Sequence, residues 1–165
     1  MLRLAVVIAL NAGLRKSEIL KLRKADLDFE RELIIIRKAK TGNRYALMNS
    51  LVRQAIFWTV NLGALGPDEL VLGGIDWIKD TWPQVCKEAK VSNLHFHDMR
   101  ATYTTRMLEN GFDAFTACDA TGQVVRVFFP AHADANLVIV EQLRVISGRV
   151  LHPAIGMMNQ PRRPR

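Results

Sequence analysis

Residues 97–123, HDMRATYTTRMLENGFDAFTACDATGQ, decide the fold of this chain. The stretch opens with a His-x-x-Arg quartet formed by His97 and Arg100, at the start of a helical pattern. Gly111 predicts the end of that helix, and a second short helix follows it. Arg100 therefore falls near a helix N-terminus, where backbone N–H groups and the helix dipole favour an anion.

The composition predicts one globular domain with a nucleic-acid partner. The chain has 165 residues, of which 49% are hydrophobic and 24% charged, so it can bury a sizeable core and is not a disordered tail. Twenty-three Lys and Arg against sixteen Asp and Glu give a net charge of +7, which attracts polyanions. The first apolar run is too short to span a membrane. Cys86 and Cys118 have no metal-ligand spacing, so we expect a reduced cytoplasmic protein without metal or other cofactor.

Apolar periodicity predicts mostly helices in the first half of the chain. Residues 2–10 are almost entirely apolar and read as a buried helix that ends at Gly13. The segment SEILKL restarts a helix with Ser17 as its cap, and Asn49 and Ser50 cap the helix LVRQAIFWTV. In DWIKDTWPQVCKEA, Pro83 is expected to break or kink a further helix.

A change of period between these helices predicts a small antiparallel sheet. Residues 33–37 are rich in β-branched side chains, residues 40–43 (KTGN) form a turn signal, and residues 44–48 return as the next strand. The whole pattern therefore predicts an α+β fold that is mainly helical.

Four side chains are candidates for phosphate chemistry. Arg15 follows a glycine turn and Arg100 begins a helix, so two guanidiniums near helix N-termini could hold both non-bridging oxygens of one phosphate. Each of them alone also fits an ordinary surface arginine. Lys40 alone fits a polar turn residue, and His97 alone fits a capping or core histidine.

The ordered set GLRKSEIL, a hairpin lysine before Thr-Gly, and HDMRATYTTRMLENG resembles the catalytic domain of the tyrosine recombinases, or phage integrase family, over residues 4–123. The resemblance implies an α+β fold with a three-stranded antiparallel sheet and an activity of DNA strand cleavage and rejoining. It implies that Arg15 and Arg100 clamp the scissile phosphate, that Lys40 protonates the leaving 5′ oxygen, and that His97 assists proton transfer. Glu18 would support the fold.

The sequence departs from the family after Gly122. Gln123 stands where the family has His or Trp, and no tyrosine follows Tyr103 where the family places its nucleophile. An ungapped reading puts His132 near the nucleophile position, and a reading with a small deletion restores no tyrosine either. Tyr103 lies on the Arg100 helix, where its ring is expected to pack rather than attack.

These observations predict residues 1–150 as an integrase-like catalytic domain, without an N-terminal core-binding domain and with a diverged C-terminal part. Residues 151–165 are predicted to be a disordered, basic, Pro-rich tail. The function expected from the resemblance is that of a site-specific recombinase or integrase acting on double-stranded DNA, alone or with other recombinase protomers. Because the nucleophilic tyrosine is missing, the sequence leaves open whether the domain is active or inactive. The alternatives are a non-enzymatic DNA-binding remnant and a regulatory partner of an intact recombinase.

Overall fold

The computed structural model describes residues 1–37 and 43–122, and in them the chain is mainly helical with one small sheet. The helices are α1 Leu2–Ala12, α2 Lys16–Leu20, α3 Ser50–Thr59, α4 Ile78–Glu88, α5 Asp98–Glu109 and α6 Ala114–Thr121. The strands are β1 Leu27–Asp28, β2 Leu33–Ile36 and β3 Arg44–Leu47, and short 3-10 helices occupy Lys24–Asp26 and Leu62–Ala64. The predicted α+β fold, mainly helical with a three-stranded antiparallel sheet, is confirmed.

Helix α1 is the centre of the core. Its apolar residues cover nearly the whole helix surface, so other elements must surround it. It packs against α3 on one side and α5 on another. The helix ends at Gly13, as predicted, because Gly13 takes up a left-handed conformation with φ of 65°. This brings the turn after α1 close to the start of α5.

The sheet has the order β1-β2-β3, with both pairs antiparallel. Successive strand residues alternate between the two faces, and Ile34 and Ala46 pair on the face that packs into the core. Arg44 lies on the same face as Ala46 and pairs with Ile36 at the end of the sheet. A charged residue therefore occupies a core-facing strand position, where the alternation of the strand predicts an apolar residue. Of the predicted turn, residues 40–42 lie outside the described residues.

Helix α2 begins two residues earlier than predicted, and the assignment of Ser17 as its cap is wrong. The N-cap residue is Arg15, whose extended backbone has φ of −70° and ψ of 153°. The Glu18 carboxylate accepts a hydrogen bond from the Arg15 backbone N–H at 2.7 Å, which satisfies a free donor at the helix start. A carboxylate reaching back to the N-cap backbone thus replaces the expected serine hydroxyl.

Helix α4 continues through Pro83, so the predicted break does not occur. Pro83 lacks the N–H that would bond to a carbonyl one turn earlier, which weakens the helix locally. Ile78, Trp82 and Cys86 are all buried and lie on one face at successive intervals of four residues. Their burial holds the two halves of the helix against the core across the missing hydrogen bond.

Helix ends elsewhere follow the predicted signals. Asn49 caps α3 through its side chain, which accepts a hydrogen bond from the Val52 N–H at 3.0 Å, while Ser50 is the first helical residue. Gly111 follows α5 with φ of 87°, as expected for a glycine that stops a helix. Residues close in sequence are therefore enough to predict these two helix ends.

Candidate functional site

Arg100 is the centre of the candidate site and is almost fully buried, with a relative exposure of 1%. It lies in the first turn of α5, and its Nη1 donates to the Gly13 carbonyl at 2.8 Å. Its Nη2 donates to the Thr121 carbonyl. Its Nε is buried and has no hydrogen-bond partner among the described residues. Arg100 is therefore not an ordinary surface arginine, and that alternative is wrong for this residue.

Arg15 reaches the same place from the start of α2. Its Nη2 donates to the Gly122 carbonyl at 2.7 Å and its Nη1 to Glu18 Oε1 at 2.9 Å. About 39% of its side chain remains exposed, so this guanidinium faces solvent as well as the site. Arg15 and Arg100 thus donate to adjacent carbonyls, and the two guanidiniums lie together on one side of the domain.

Arg44 is a third arginine of the site and was not singled out from the sequence. Its Nη2 donates to Glu18 Oε2 at 2.7 Å and its Nη1 to the Ala120 carbonyl at 2.5 Å. The side chain is only 8% exposed. The one signal that could have revealed it is a charged residue at a core-facing strand position, beside the apolar Ala46.

The three arginines together hold the C-terminal end of α6. They donate to three consecutive carbonyl oxygens of the chain: Arg44 to Ala120, Arg100 to Thr121 and Arg15 to Gly122. The last carbonyls of a helix lack partners within the helix, and the helix dipole makes this end negative. The guanidiniums therefore stabilise the end of α6 and fix their own positions in doing so.

Within residues 1–37 and 43–122, Glu18 is the one carboxylate in contact with all three arginines, and it is 13% exposed. Its Oε2 lies 3.7 Å from Arg100 Nη1. Burial by itself raises the pKa of Glu18, but the backbone N–H of Arg15 and the charge and hydrogen bond of Arg44 outweigh it, so the pKa is lowered. Glu18 is therefore ionised at neutral pH and ties the arginines to one another.

The cluster carries more positive than negative charge. Three guanidiniums against one carboxylate leave an excess of two positive charges. Burial, followed by the repulsion of Arg15 and Arg44 and opposed by the attraction of Glu18, lowers the pKa of Arg100 to about 10. Arg100 still carries its charge at neutral pH. A partly buried excess of positive charge favours an anionic ligand.

His97 is the N-cap residue of α5, three residues before Arg100, and its side chain is exposed. The structure therefore places the His97 side chain at the surface beside the N-terminus of α5, whereas Arg100 is buried. Lys40, Gln123 and His132 lie outside the described residues, so their predicted places remain predictions.

Tyr103 packs against the turn after α1 and is half-buried. The approach is close enough that a Cβ added to Gly13 would lie 2.5 Å from Tyr103 Cδ1. Burial raises the pKa of the Tyr103 hydroxyl, and the charge of Arg44 opposes this only in part. The ring is thus a packing element, as expected, and its hydroxyl is protonated at neutral pH.

Residues 1–37 and 43–122 contain no group of three or more His, Cys, Asp or Glu side chains placed to hold a metal ion. Across the same two ranges, every helix is too short or too polar to cross a membrane.

Comparisons with known proteins place this chain beside site-specific recombinases. No protein-family model matches it. Over 120 residues the sequence is 30% identical to tyrosine recombinase XerA of Thermococcus onnurineus (strain NA1), a match that covers 67% of this chain and 43% of the relative. The Tn1549 transposon integrase, solved in complex with transposon right end DNA, is 26% identical with a TM-score of 0.60, covering 86% of this chain and 58% of that one.

Two further solved structures share the fold at lower sequence identity. The crystal structure of XerA recombinase has a TM-score of 0.67 at 19% identity and covers 87% of this chain and 57% of that one. The XerH site-specific recombinase, solved as a pre-cleavage complex with its difH substrate, has a TM-score of 0.63 at 17% identity, covering 86% and 46%. The chain spans less than half of the curated relative and little more than half of the solved XerA and integrase chains.

Proposed function

Because this chain is a relative of the tyrosine recombinases and carries a domain of their recombinase and integrase type, we propose that it binds duplex DNA by clamping a backbone phosphate between Arg15 and Arg100. The convergence of these two guanidiniums beside one carboxylate is the observation that supports the proposal. The DNA named in the solved complexes of the Tn1549 integrase and XerH is a further support. We also propose that the protein works in the cytoplasm, a reducing compartment that suits its two free cysteines, Cys86 and Cys118.

The charge and geometry of the site suit a phosphodiester. A phosphodiester has one negative charge shared by two non-bridging oxygens. A single guanidinium can donate hydrogen bonds to both of these oxygens or to one of them. Arg15 offers the exposed guanidinium that an incoming phosphate meets first. Arg100 adds a buried charge whose position is fixed by two carbonyls. An anion entering here would reduce the local excess of positive charge.

The same residues could assist phosphoryl transfer only if a nucleophile were supplied. Arginines stabilise charge that grows on the phosphoryl oxygens, Lys40 would protonate the leaving 5′ oxygen, and His97 would assist that proton transfer. The step also needs an oxygen placed in line with the leaving group. No tyrosine follows Tyr103 in the sequence. We therefore propose that this chain binds DNA without cleaving it by itself.

The missing tyrosine also favours a second function, that of a regulatory partner of an intact recombinase. A domain that keeps the clamp and lacks the nucleophile would occupy a DNA half-site without cutting it. Strand exchange by a purified intact tyrosine recombinase should then fall as this chain is added, and an Arg15→Ala variant should inhibit less. Equal inhibition by both proteins would contradict this second function.

DNA binding is tested by fluorescence anisotropy with a labelled duplex over a series of salt concentrations. We expect a Kd of about 1 μM or weaker, with affinity falling as salt rises, as for non-specific binding. Arg15→Ala should weaken binding and reduce the slope of log K against log salt by about one phosphate contact.

The matched control is Arg53→Ala, which removes the same charge from the exposed face of α3. We expect this variant to bind almost as well as the native chain. Equal losses for Arg15→Ala and Arg53→Ala would show that only overall charge matters. Absence of binding even at low salt would overturn the proposal altogether.

A further inference from the structure

Arg44 is buried, with an exposed fraction of only 8%. It is the first residue of β3, and its buried side chain reaches inward from the end of the sheet. Its two ion-pair and hydrogen-bond partners belong to different elements, Glu18 in α2 and Ala120 in α6. Arg44 therefore connects the sheet to both helices that frame the clamp.

Arg44 and Arg100 both lie near Glu18 Oε2, at different distances. Arg44 Nη2 holds this oxygen at 2.7 Å, whereas Arg100 Nη1 stays at 3.7 Å. Each close cation stabilises a carboxylate as buried as Glu18, so losing the ion pair with Arg44 leaves part of its charge uncompensated. Arg15 stays bonded to Glu18, with its Nη1 on Oε1 at 2.9 Å and its backbone N–H on Oε2 at 2.7 Å. Without Arg44, the nearest guanidinium that is not already hydrogen-bonded to Glu18 is that of Arg100.

We propose that Arg44 is a positioning residue that occupies Glu18 and thereby leaves the positive charge of Arg100 uncompensated for a bound phosphate. The proposal rests on the proposed function, in which Arg15 and Arg100 grip that phosphate. If Arg44 is lost, Glu18 draws Arg100 into an ion pair, and part of the charge that attracts the phosphate is neutralised. If Glu18 is also neutral, Arg100 has no carboxylate to turn to, and the loss of Arg44 becomes harmless to binding.

This suppression is tested by a double-mutant cycle on DNA affinity with Arg44→Met and Glu18→Gln. Arg44→Met should weaken binding about fivefold or more with Glu18 present and about twofold or less in the Glu18→Gln background, a coupling within the range for contacting residues. If Arg44 acted only as one more positive charge, the loss would be equal in both backgrounds. Equal losses would overturn the inference.

The matched control is Arg37→Met. Arg37 follows β2, is about half exposed, and pairs with the buried carboxylate of Asp26 at 2.6 Å. The Arg37→Met substitution therefore removes the same charge from a similar ion pair at the sheet. It has no contact with Glu18 among the recorded ion pairs of the described residues. We expect its small effect on affinity to be the same with Glu18 or Gln at position 18. A suppression as large as that of Arg44 would overturn the inference.

A DNA-free measurement separates this inference from the proposed function. The 15N resonance of Arg100 Nε, assigned with Arg100→Lys, should move in Arg44→Met and return towards its native position when Glu18→Gln is added. If Arg44→Met fails to fold, Arg44→Lys replaces it and should show the same effect more weakly, because one ammonium cannot reach both partners. An unmoved Arg100 signal overturns the role of Arg44. Equal DNA binding by native chain and Arg15→Ala instead overturns the proposed function.

Discussion

Gly13→Ala should be the most destabilising small substitution near the site, for two separable reasons. Gly13 has φ of 65°, which an L-residue adopts at a cost of roughly 1–2 kcal/mol. The new methyl group would also lie 2.5 Å from Tyr103 Cδ1 and 3.0 Å from Thr121 Cγ2, far inside ordinary contact. Overpacking of this kind costs about 1–3 kcal/mol. We therefore expect the free energy of unfolding to fall by about 2–4 kcal/mol, after the smaller unfolded-state entropy of alanine is allowed for.

The matched control is Gly111→Ala. Gly111 has φ of 87°, but no atom lies within 4 Å of the position its Cβ would take. The free energy of unfolding of this variant should therefore fall only by the cost of the left-handed backbone, about 1 kcal/mol. Equilibrium urea denaturation of both variants gives the difference, which measures the clash with Tyr103. Adding Tyr103→Leu to Gly13→Ala should recover part of the loss through a favourable coupling.

The site should respond to the same change. The Gly13 carbonyl accepts a hydrogen bond from Arg100, so pushing the turn away from Tyr103 also displaces an anchor of the clamp. DNA affinity should fall in Gly13→Ala and stay near native in Gly111→Ala. A Gly13→Ala variant as stable as Gly111→Ala would refute the close packing of Tyr103 against this turn.

Three further predictions concern single groups. The pKa of Glu18 is raised by burial but lowered below its ordinary value of 4.5 by its arginine neighbours, so its stabilising effect is complete above about pH 4.5 and is lost as pH falls through the lower folded pKa. In urea denaturation, the stability gap between the native chain and Glu18→Gln should stay constant above that pH and close below it; a gap that widens in acid contradicts the assignment. Asn49→Ala should lower the free energy of unfolding by about 1 kcal/mol because the Val52 N–H loses its cap, with Ser50→Ala nearly neutral in the same assay, and equal effects would show that Asn49 is not the cap. Nicked suicide DNA should give no covalent adduct on denaturing gels, and an adduct that Arg100→Ala abolishes would show that a side chain such as Tyr103 or His132 attacks the phosphate.

Local patterns in the sequence determined most of the helices, two strands and the candidate arginines. The left-handed Gly13, the Asn49 cap and the β-branched run of β2 each depend on residues within a few positions of one another. Such short-range chemistry can be read from the sequence because the chain need not fold for the preference to exist. The His-x-x-Arg quartet likewise placed Arg100 at the start of a helix, where the structure has it.

Only the tertiary structure decided what the arginines contact. Arg15 and Gly122 are 107 residues apart in sequence, and Arg44 and Ala120 are 76 apart. No local preference links such pairs, because their approach depends on how α1, the sheet and α6 pack around the core. The same packing explains why α4 continues past Pro83 and why Arg44 is buried on the core-facing side of its strand. The sequence alone identified Arg15 and Arg100 as candidates, and the long-range contacts of the fold brought them together beside Glu18.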